Sequence, residues 1–518
     1  MLAFARARTG SLLLLSAISA GSGLSGTVSA QAPPPSFEVD RRVDSGWVEN
    51  RGDQEATIAS FPVRVAGASW MRLAFDRVEL PARGARLRMT SVLDGGQQEL
   101  DLGQVREWGW ASAYFNGDDV QVEIVAAPNT GRCRVVLSRI TAGIPPIPSF
   151  SQCDSTDDRV PSWDARMGRS MPIGCSAWMI NDCSHNFLTA GHCSGPTLQL
   201  VEFNVPLSNG NGAVNHPPPE DQYAVDVGSK QWMNGGVGQD WGYFGVFPNP
   251  GTGLRPFQRQ QTTYVLAADA PVPSGSIVIR VTGYGTDTTP AQQNQIQQSD
   301  TGPYASLNGT TIGYRADTEG GNSGSPVLWD QDGRAIGIHT HGGCTASGGA
   351  NLGTAIGHPD LQAAIANPLG QCACRGESNR YCTGKVNSQG CLEEISATGT
   401  PSVTGGVGSF VIHGSQILNG KLGLLFYGYA PASTPFHGGI ACIGAPMRRT
   451  PVQDSGGNGG APDCSGTFDY DMGARIGSLV DSGLVLGANV FAQYFSRDPA
   501  STSGAYGLTD ALQFTIGP

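Results

Sequence analysis

The sequence is short of charge. Lys, Arg, Asp and Glu supply only 14% of its 518 residues, and the basic share is the smaller, 32 against 43 acidic. A net charge of −11 leaves no basic surface of the kind that holds a polyanion, so neither nucleic acid nor an anionic membrane surface is an expected partner. No apolar run reaches the roughly 20 residues of a spanning helix, and no membrane insertion is expected. HExxH and paired CxxC spacings are both missing, which leaves His339 and His341 outside any zinc-peptidase context. No catalytic metal and no cofactor is expected. Helical periodicity longer than a few turns is absent too, as is any fixed-period repeat.

What is plentiful is Gly (73) and Pro (34), interleaved with Ser, Thr and Val. That is the composition of short strands joined by turns, in a chain too long for one core; an all-β protein of several domains is expected. Residues 1–30 read as a signal peptide: Arg6 and Arg8 give a positive start, Leu12 to Ile18 an apolar centre, and Val28-Ser29-Ala30 a small-residue cleavage site. Without that leader the net charge is about −13. The mature chain is expected to be secreted, extracellular or periplasmic, where twelve Cys serve as disulfides. Residues 36–143 alternate apolar and polar positions, as in "DDVQVEIV" (Asp118 to Val125), and read as a β-sandwich or pro-region. "GIPPIPS" (Gly143 to Ser149) is a stiff linker. A second region spans 153–368, and a Cys-containing β domain spans 371–518, with strand-like "KLGLLFYGYA", "NVFAQYF" and "ALQFTIGP".

Acyl transfer to serine needs a nucleophile, a base for its proton and donors for the oxyanion. The middle region holds one of each. In "NFLTAGHC" (Asn186 to Cys193) an apolar strand end delivers His192 into a small-residue turn. A lone His is more often structural, but Cys193 beside it can lock its position, with Cys175 on the preceding strand as partner. In "GQDWGYFGV", Asp240 opens an aromatic, Gly-rich strand that would bury its carboxylate, whereas Asp221, Asp226 and Asp269 do not. In "GGNSGSPV" (Gly320 to Val327), Gly321 and Gly324 permit a sharp turn that exposes Ser323 and turns the amides of Gly321 and Ser323 into one concavity. The order His, Asp, Ser, with Ser325 two residues after the nucleophile, departs from an α/β-hydrolase, which runs Ser, Asp, His and has Gly there.

"LTAGHC", "DWGYFGV", "VTGYGT" (Val281 to Thr286), "GGNSGSPV" and "AIGIHTHGG" (Ala335 to Gly343) together resemble the chymotrypsin-like serine peptidases, nearest to the bacterial glutamyl endopeptidase branch. The resemblance covers residues 153–368 and implies a central chymotrypsin-like double β-barrel, flanked here by two β-sandwich-like domains. By motif it implies Ser323 as nucleophile, His192 as general acid and base, Asp240 as orienting carboxylate, and Gly321 and Ser323 as oxyanion donors. It also implies that Thr318 and His339 bind a substrate carboxylate, hence cleavage after Glu or Asp; Glu319, close by in sequence, speaks against this.

Asn322 departs from many animal relatives, whose Asp at that place receives a new N-terminal ammonium on activation, so that switch cannot operate here. Arg159, Arg166 and Arg169 in "DDRVPSWDARMGRS" read as an exposed segment open to activating cleavage. "YCTGKVNSQGC" and "GLTDALQFTI" resemble C-terminal β domains of exported bacterial hydrolases, with Cys382–Cys391 and Cys442–Cys464 as local bridges. The functional expectation is a secreted serine endopeptidase acting on protein or peptide substrates. The alternative is a non-catalytic adhesion or binding protein with a peptidase-like middle domain; nothing sets the oligomeric state.

Overall fold

Alternating apolar and polar residues make strands the main regular element of this chain. The structure, a computed structural model, describes residues 33–81, 83–144, 153, 156–373 and 377–517, and among them the longest helix is the eight-residue Pro359–Ala366. The leader read over residues 1–30, and residues 145–149 of the linker, lie outside the described residues.

Eight strands come first: β1 (Ser36–Asp44), β2 (Ala56–Arg64), β3 (Trp70–Glu79), β4 (Ala85–Ser91), β5 (Gln97–Leu100), β6 (Ala111–Asn116), β7 (Asp119–Ala126) and β8 (Arg134–Gly143). They form two four-stranded antiparallel sheets, ordered β1-β8-β3-β6 and β2-β7-β4-β5. In β7 the side chains of Val120, Val122 and Ile124 are fully buried between them, as the alternation requires.

The central strands are β9 (Val160–Pro161), β10 (Met167–Pro172), β11 (Cys175–Met179), β12 (Phe187–Thr189), β13 (Leu198–Glu202), β14 (Gln222–Ala224), β15 (Gln231–Asn234), β16 (Asp240–Phe244), β17 (Val278–Gly283), β18 (Gln298–Asn308), β19 (Thr311–Tyr314), β20 (Pro326–Trp329), β21 (Ala335–His341) and β22 (Asn351–Ala355). The order β17-β20-β21-β22-β19-β18 returns on itself through a β17–β18 pairing and closes a six-stranded barrel, with β9 added to β18. The order β14-β13-β10-β11-β12-β16-β15 makes an open companion sheet, a half-barrel. Trp178, Leu188, Trp241 and Tyr243 of that companion enter the same core as Ile279, Ile312 and Ile338 of the closed barrel. The two are therefore packed face to face through one apolar seam.

The sandwich is joined to the companion sheet as well. Its core continues from Trp70, Leu73 and Leu87 into Met171, Leu200, Val214 and Ala224. Edge strand β6 would otherwise leave backbone groups unpaired. Tyr114 in β6 donates its N–H to Gln222 Oε1 and accepts from Gln222 Nε2, both at 2.9 Å, and Asn116 makes a second such exchange with the His216 backbone.

In the C-terminal region a six-stranded sheet built on Leu422–Gly428, Asn489–Arg497 and Tyr506–Thr515 packs on a three-stranded sheet, Glu394–Gly399, Phe410–Ile417 and Gly466–Asp471. Ile395, Phe410 and Phe468 of the smaller sheet share a core with Leu425, Tyr494 and Phe514 of the larger. Its disulfides correct the sequence reading: Cys382 pairs with Cys442 and Cys391 with Cys464, not Cys382 with Cys391 or Cys442 with Cys464. Strand Glu377–Tyr381 explains the first bridge. It pairs with Tyr506–Thr515 and brings Tyr381 Oη within 2.7 Å of Cys442 O, so Cys382 meets a strand 60 residues away. The Cys175–Cys193 bridge is present, and Cys153–Cys344 is an additional one.

Leu200, fully buried at the seam between sandwich and companion sheet, tests that shared core. Leu200→Ala is expected to destabilise by about 2–5 kcal/mol, read as a lower urea midpoint. Hydrogen exchange in β3 and in β13 should accelerate together; acceleration in β13 alone would mean two separate cores.

Candidate active site

β12 is buried along its length and hydrogen-bonded on both sides, Trp178 against Leu188 and Leu188 against Tyr243. Its rigid end delivers the chain into the tight turn Gly191–Cys193. No side chain fits at Gly191, where a Cβ would strike the Met233 carbonyl. His192 follows, its side chain 23% exposed, beside the Cys175–Cys193 bridge.

Asp240, the first residue of β16, is fully buried. Its Oδ1 accepts the His192 backbone N–H at 2.9 Å, and its Oδ2 lies 2.6 Å from His192 Nδ1. A carboxylate only accepts, so Nδ1 carries the hydrogen and Nε2 is left with its lone pair. Thr354 on β22 fixes the backbone of Asp240 from the closed barrel: its Oγ1 accepts Asp240 N–H at 3.1 Å and donates to Asp240 O at 2.7 Å. The competing acids lie elsewhere. Asp221 pairs with Arg259, Asp226 caps the turn at Gly228 and accepts Gln371 N–H, and Asp269 stands against Gly357.

The Ser323 turn hangs between the two barrels. From the companion sheet, Ser176 donates N–H to Ser323 O and Oγ–H to Gly321 O, both at 2.9 Å, and Trp178 Nε1 donates to Gly324 O at 2.9 Å. From the closed barrel, Gly324 N–H donates to His339 O and His339 N–H to Ser325 O, each at 2.8 Å. Gly321 (φ +108°) and Gly324 (φ +90°) take conformations that an L side chain resists. At Gly324 a Cβ would also strike the Ser176 carbonyl. Cys193 Sγ is 3.9 Å from Ser323 O, so the disulfide that flanks His192 also flanks Ser323. The Ser323 amide has no acceptor among the described residues.

Thr318 and His339 are both buried next to this turn. Burial first, then the charges of His341 and His192, push the His339 pKa down to about 3. Its Nδ1 is 2.5 Å from Tyr314 Oη, and burial holds that phenol protonated. With Tyr314 donating to Nδ1, the His339 hydrogen sits on Nε2. Glu319 acts on the Arg159 guanidinium.

Sequence reasoning missed Thr354, Tyr314 and a role for His341, whose ring is 6.2 Å from that of His192. Spacing offered a misleading signal: His339 and His341 are two apart on strand β21, but the strand's register shifts between them, so simple alternation does not place them on one face. The exposed arginine segment is corrected. Arg159 and Arg169 are buried, the latter paired with Glu202 at 2.8 Å, and Arg166 lies over the Tyr264 ring, 3.8 Å from its centroid. Among the described residues, two clusters have metal-ligating groups within 4.8 Å of one another. In Cys175–His192–Cys193 both sulfurs are spent on the disulfide; Asp158, Asp300 and Asp317 form the other.

No protein-family model and no curated protein matches the chain. Solved structures do. A Glu endopeptidase in complex with MPD is 16% identical, with 42% of this chain and 98% of that one covered, at a TM-score of 0.33. The thermostable serine protease AL20 from an extremophilic microorganism is 17% identical over 39% and 97%, TM-score 0.32, and HBP is 13% identical over 42% and 98%, TM-score 0.32. By its own strand order, the closed barrel with its packed companion sheet, the molecule has the all-β, chymotrypsin-like double-barrel fold.

A buried neutral His339 makes stability depend on pH. The unfolded chain takes up a proton near the ordinary value of 6.5, whereas the folded chain does so only near 3. The contribution is complete above about pH 6.5 and is lost as pH falls toward 3, on the order of 4–5 kcal/mol in full. His339→Gln is therefore expected to lose less stability than the wild type between pH 7 and pH 4 in urea titrations; equal losses would assign the effect to other groups.

Proposed function

We propose that this chain is a secreted serine endopeptidase that cleaves after Glu. One observation carries the reading: the buried Asp240 carboxylate grips His192 at both its backbone and its ring, next to a serine held out on a turn with two left-handed glycines. In the proposed reaction His192 Nε2 takes the proton as Ser323 Oγ bonds to the scissile carbonyl carbon. The amides of Gly321 and Ser323 receive the oxyanion. His192 then returns the proton to the departing amine as the C–N bond breaks, and water, deprotonated by the same nitrogen, frees the acid. The disulfides Cys153–Cys344, Cys175–Cys193, Cys382–Cys442 and Cys391–Cys464, formed among the described residues, suit the oxidising compartment that a secreted protein enters.

Thr318 Oγ1 and His339 Nε2 supply the donors for a Glu side chain. Because His339 is neutral, it offers a hydrogen bond rather than a full charge. The regions at 36–143, 153–368 and 371–518 are proposed as three domains, with the catalytic one in the middle.

The test is incubation of the protein with a diverse peptide mixture and sequencing of the products, with Ser323→Ala as control. Cleavage after Glu is expected, and it should vanish in the control. Asp240→Asn is expected to lower kcat about 10⁴-fold by reversing the imidazole tautomer. His339→Ala should abolish the preference for Glu over Gln while cleavage continues. A protein that neither cleaves peptides nor reacts at Ser323 with a fluorophosphonate would be the non-catalytic binding protein instead.

A further inference from the structure

Arg159 stands just before β9, outside both barrels in sequence, yet only 1% of its side chain is exposed. A buried guanidinium is costly unless its donors are met. Here Nε donates to Asp157 Oδ1 at 2.9 Å, and Nη2 donates to Asp157 Oδ2 at 2.6 Å and to Thr286 O at 2.9 Å. Nη1 reaches Asn322 Oδ1 at 3.3 Å.

Asn322 directly precedes Ser323, and three of its polar groups set the turn. Oδ1 also accepts Glu319 N–H at 2.9 Å, N–H donates to Glu319 O at 2.9 Å, and O accepts Ser325 N–H at 2.9 Å. Thr286, the other end of the Arg159 bridge, donates N–H to Gly320 O at 2.7 Å. The guanidinium thus spans the two walls that enclose residues 320–323. Gly285 keeps the passage open: a Cβ there would strike both Arg159 Nη1 and Asn322 Oδ1.

We infer that Arg159 is a positioning residue for the nucleophile turn, so that Ser323 is organised in the uncut chain and cleavage in the segment 157–166 inactivates rather than activates. The inference rests on the peptidase reading and adds to it the regulation of that site. The Arg159–Asn322 contact makes a new terminal ammonium unnecessary. A cut after Arg159 would detach it from β9, whose pairing with β18 fixes its place, and so loosen its hold on Asn322. Arg159 touches no reacting atom; it acts through Asn322, on the angle at which the Ser323 amide and hydroxyl face the cleft.

The experiment uses the full, uncut chain, with fluorophosphonate labelling followed by intact mass, and with steady-state peptide cleavage. The wild type is expected to label at full length. Arg159→Met, checked for folding by near-UV circular dichroism, is expected to lose about 10- to 100-fold in kcat and in labelling rate, with KM changed less than about threefold, since a displacement near 1 Å is enough for that loss. Arg159→Lys, which keeps the charge but not the fork, should lose nearly as much, and Arg159→Lys with Asn322→Asp should recover most of the rate by restoring a direct charged contact. A folded Arg159→Met that labels and turns over at the wild-type rate would overturn the inference. So would a wild type that labels only after cleavage within 157–166, a result that leaves the peptidase reading intact. A wild type that labels neither before nor after such cleavage sinks the peptidase reading and this inference with it. If Arg159→Met fails to fold, the Lys variant and its double carry the same comparison, and rates unchanged in Arg159→Lys would overturn the inference.

Discussion

The buried carboxylate of Asp240 is the constraint around which the centre of this molecule is arranged. A fully enclosed anion must have its lone pairs answered by donors. The donors come from His192 twice, through its amide and its ring, so the charge is satisfied only when the Gly191–Cys193 turn adopts one conformation. Thr354 holds the backbone of the same aspartate from across the seam. The acid sits on the companion sheet, its clamp Thr354 on the closed barrel, and the imidazole on the turn that follows β12. The packing of two barrels thereby becomes the orientation of one ring.

The serine turn obeys the same logic with backbone groups in place of a charge. Ser176 and Trp178 hold it from one side and His339 from the other, and the glycines at 321 and 324 let the chain pass where side chains would collide. Such a turn could not be stable alone, because its bonds run to two strands of different sheets, β11 and β21. Its rigidity is borrowed from the apolar seam of Trp178, Leu188 and Trp241. This explains why a short polar segment can keep a half-buried hydroxyl in place without a helix to support it.

Much of this was legible in the sequence because it is local. The turn that carries His192 and the loop that carries Ser323 are each made of consecutive residues, and their small side chains are needed by their own backbone conformations. Strand alternation was legible for the same reason, as in Val120, Val122 and Ile124. The residues that stayed hidden reach the site through strand register. Thr354 meets Asp240 across 114 positions, and Arg159 meets Asn322 across 163. No spacing rule encodes such distances. The C-terminal disulfides failed likewise: nearest-neighbour pairing assumes local loops, but adjacent strands there come from distant parts of the chain. Arg159 and Arg169 misled because arginine in a polar segment is ordinarily solvated, whereas here each has acceptors enough to be enclosed.

Arg169 shows where else the fold places charge. Its guanidinium donates to Glu202 Oε2 at 2.8 and 3.0 Å, to Gln295 O at 3.0 Å and to Asn215 O at 2.9 Å, while Glu202 Oε1 lies 2.6 Å from His216 Nδ1. Burial, outweighing the attraction of Glu202, holds the His216 pKa below its ordinary value, and its ring stacks on Tyr114 of the sandwich at 4.3 Å. Apolar contact alone between the sandwich and the companion sheet would tolerate sliding, since it has no direction. The cluster does not, because each displaced member would leave a buried charge unanswered. Charge is scarce in this sequence, and some of it is enclosed at three places where a relative orientation has to be held: Asp240 at the seam of the barrels, Arg159 behind the Ser323 turn, and Arg169 under the sandwich. The scarcity noticed first and the rigidity of the centre are connected in this way, for a chain with few charges on its surface still places several where water cannot weaken them.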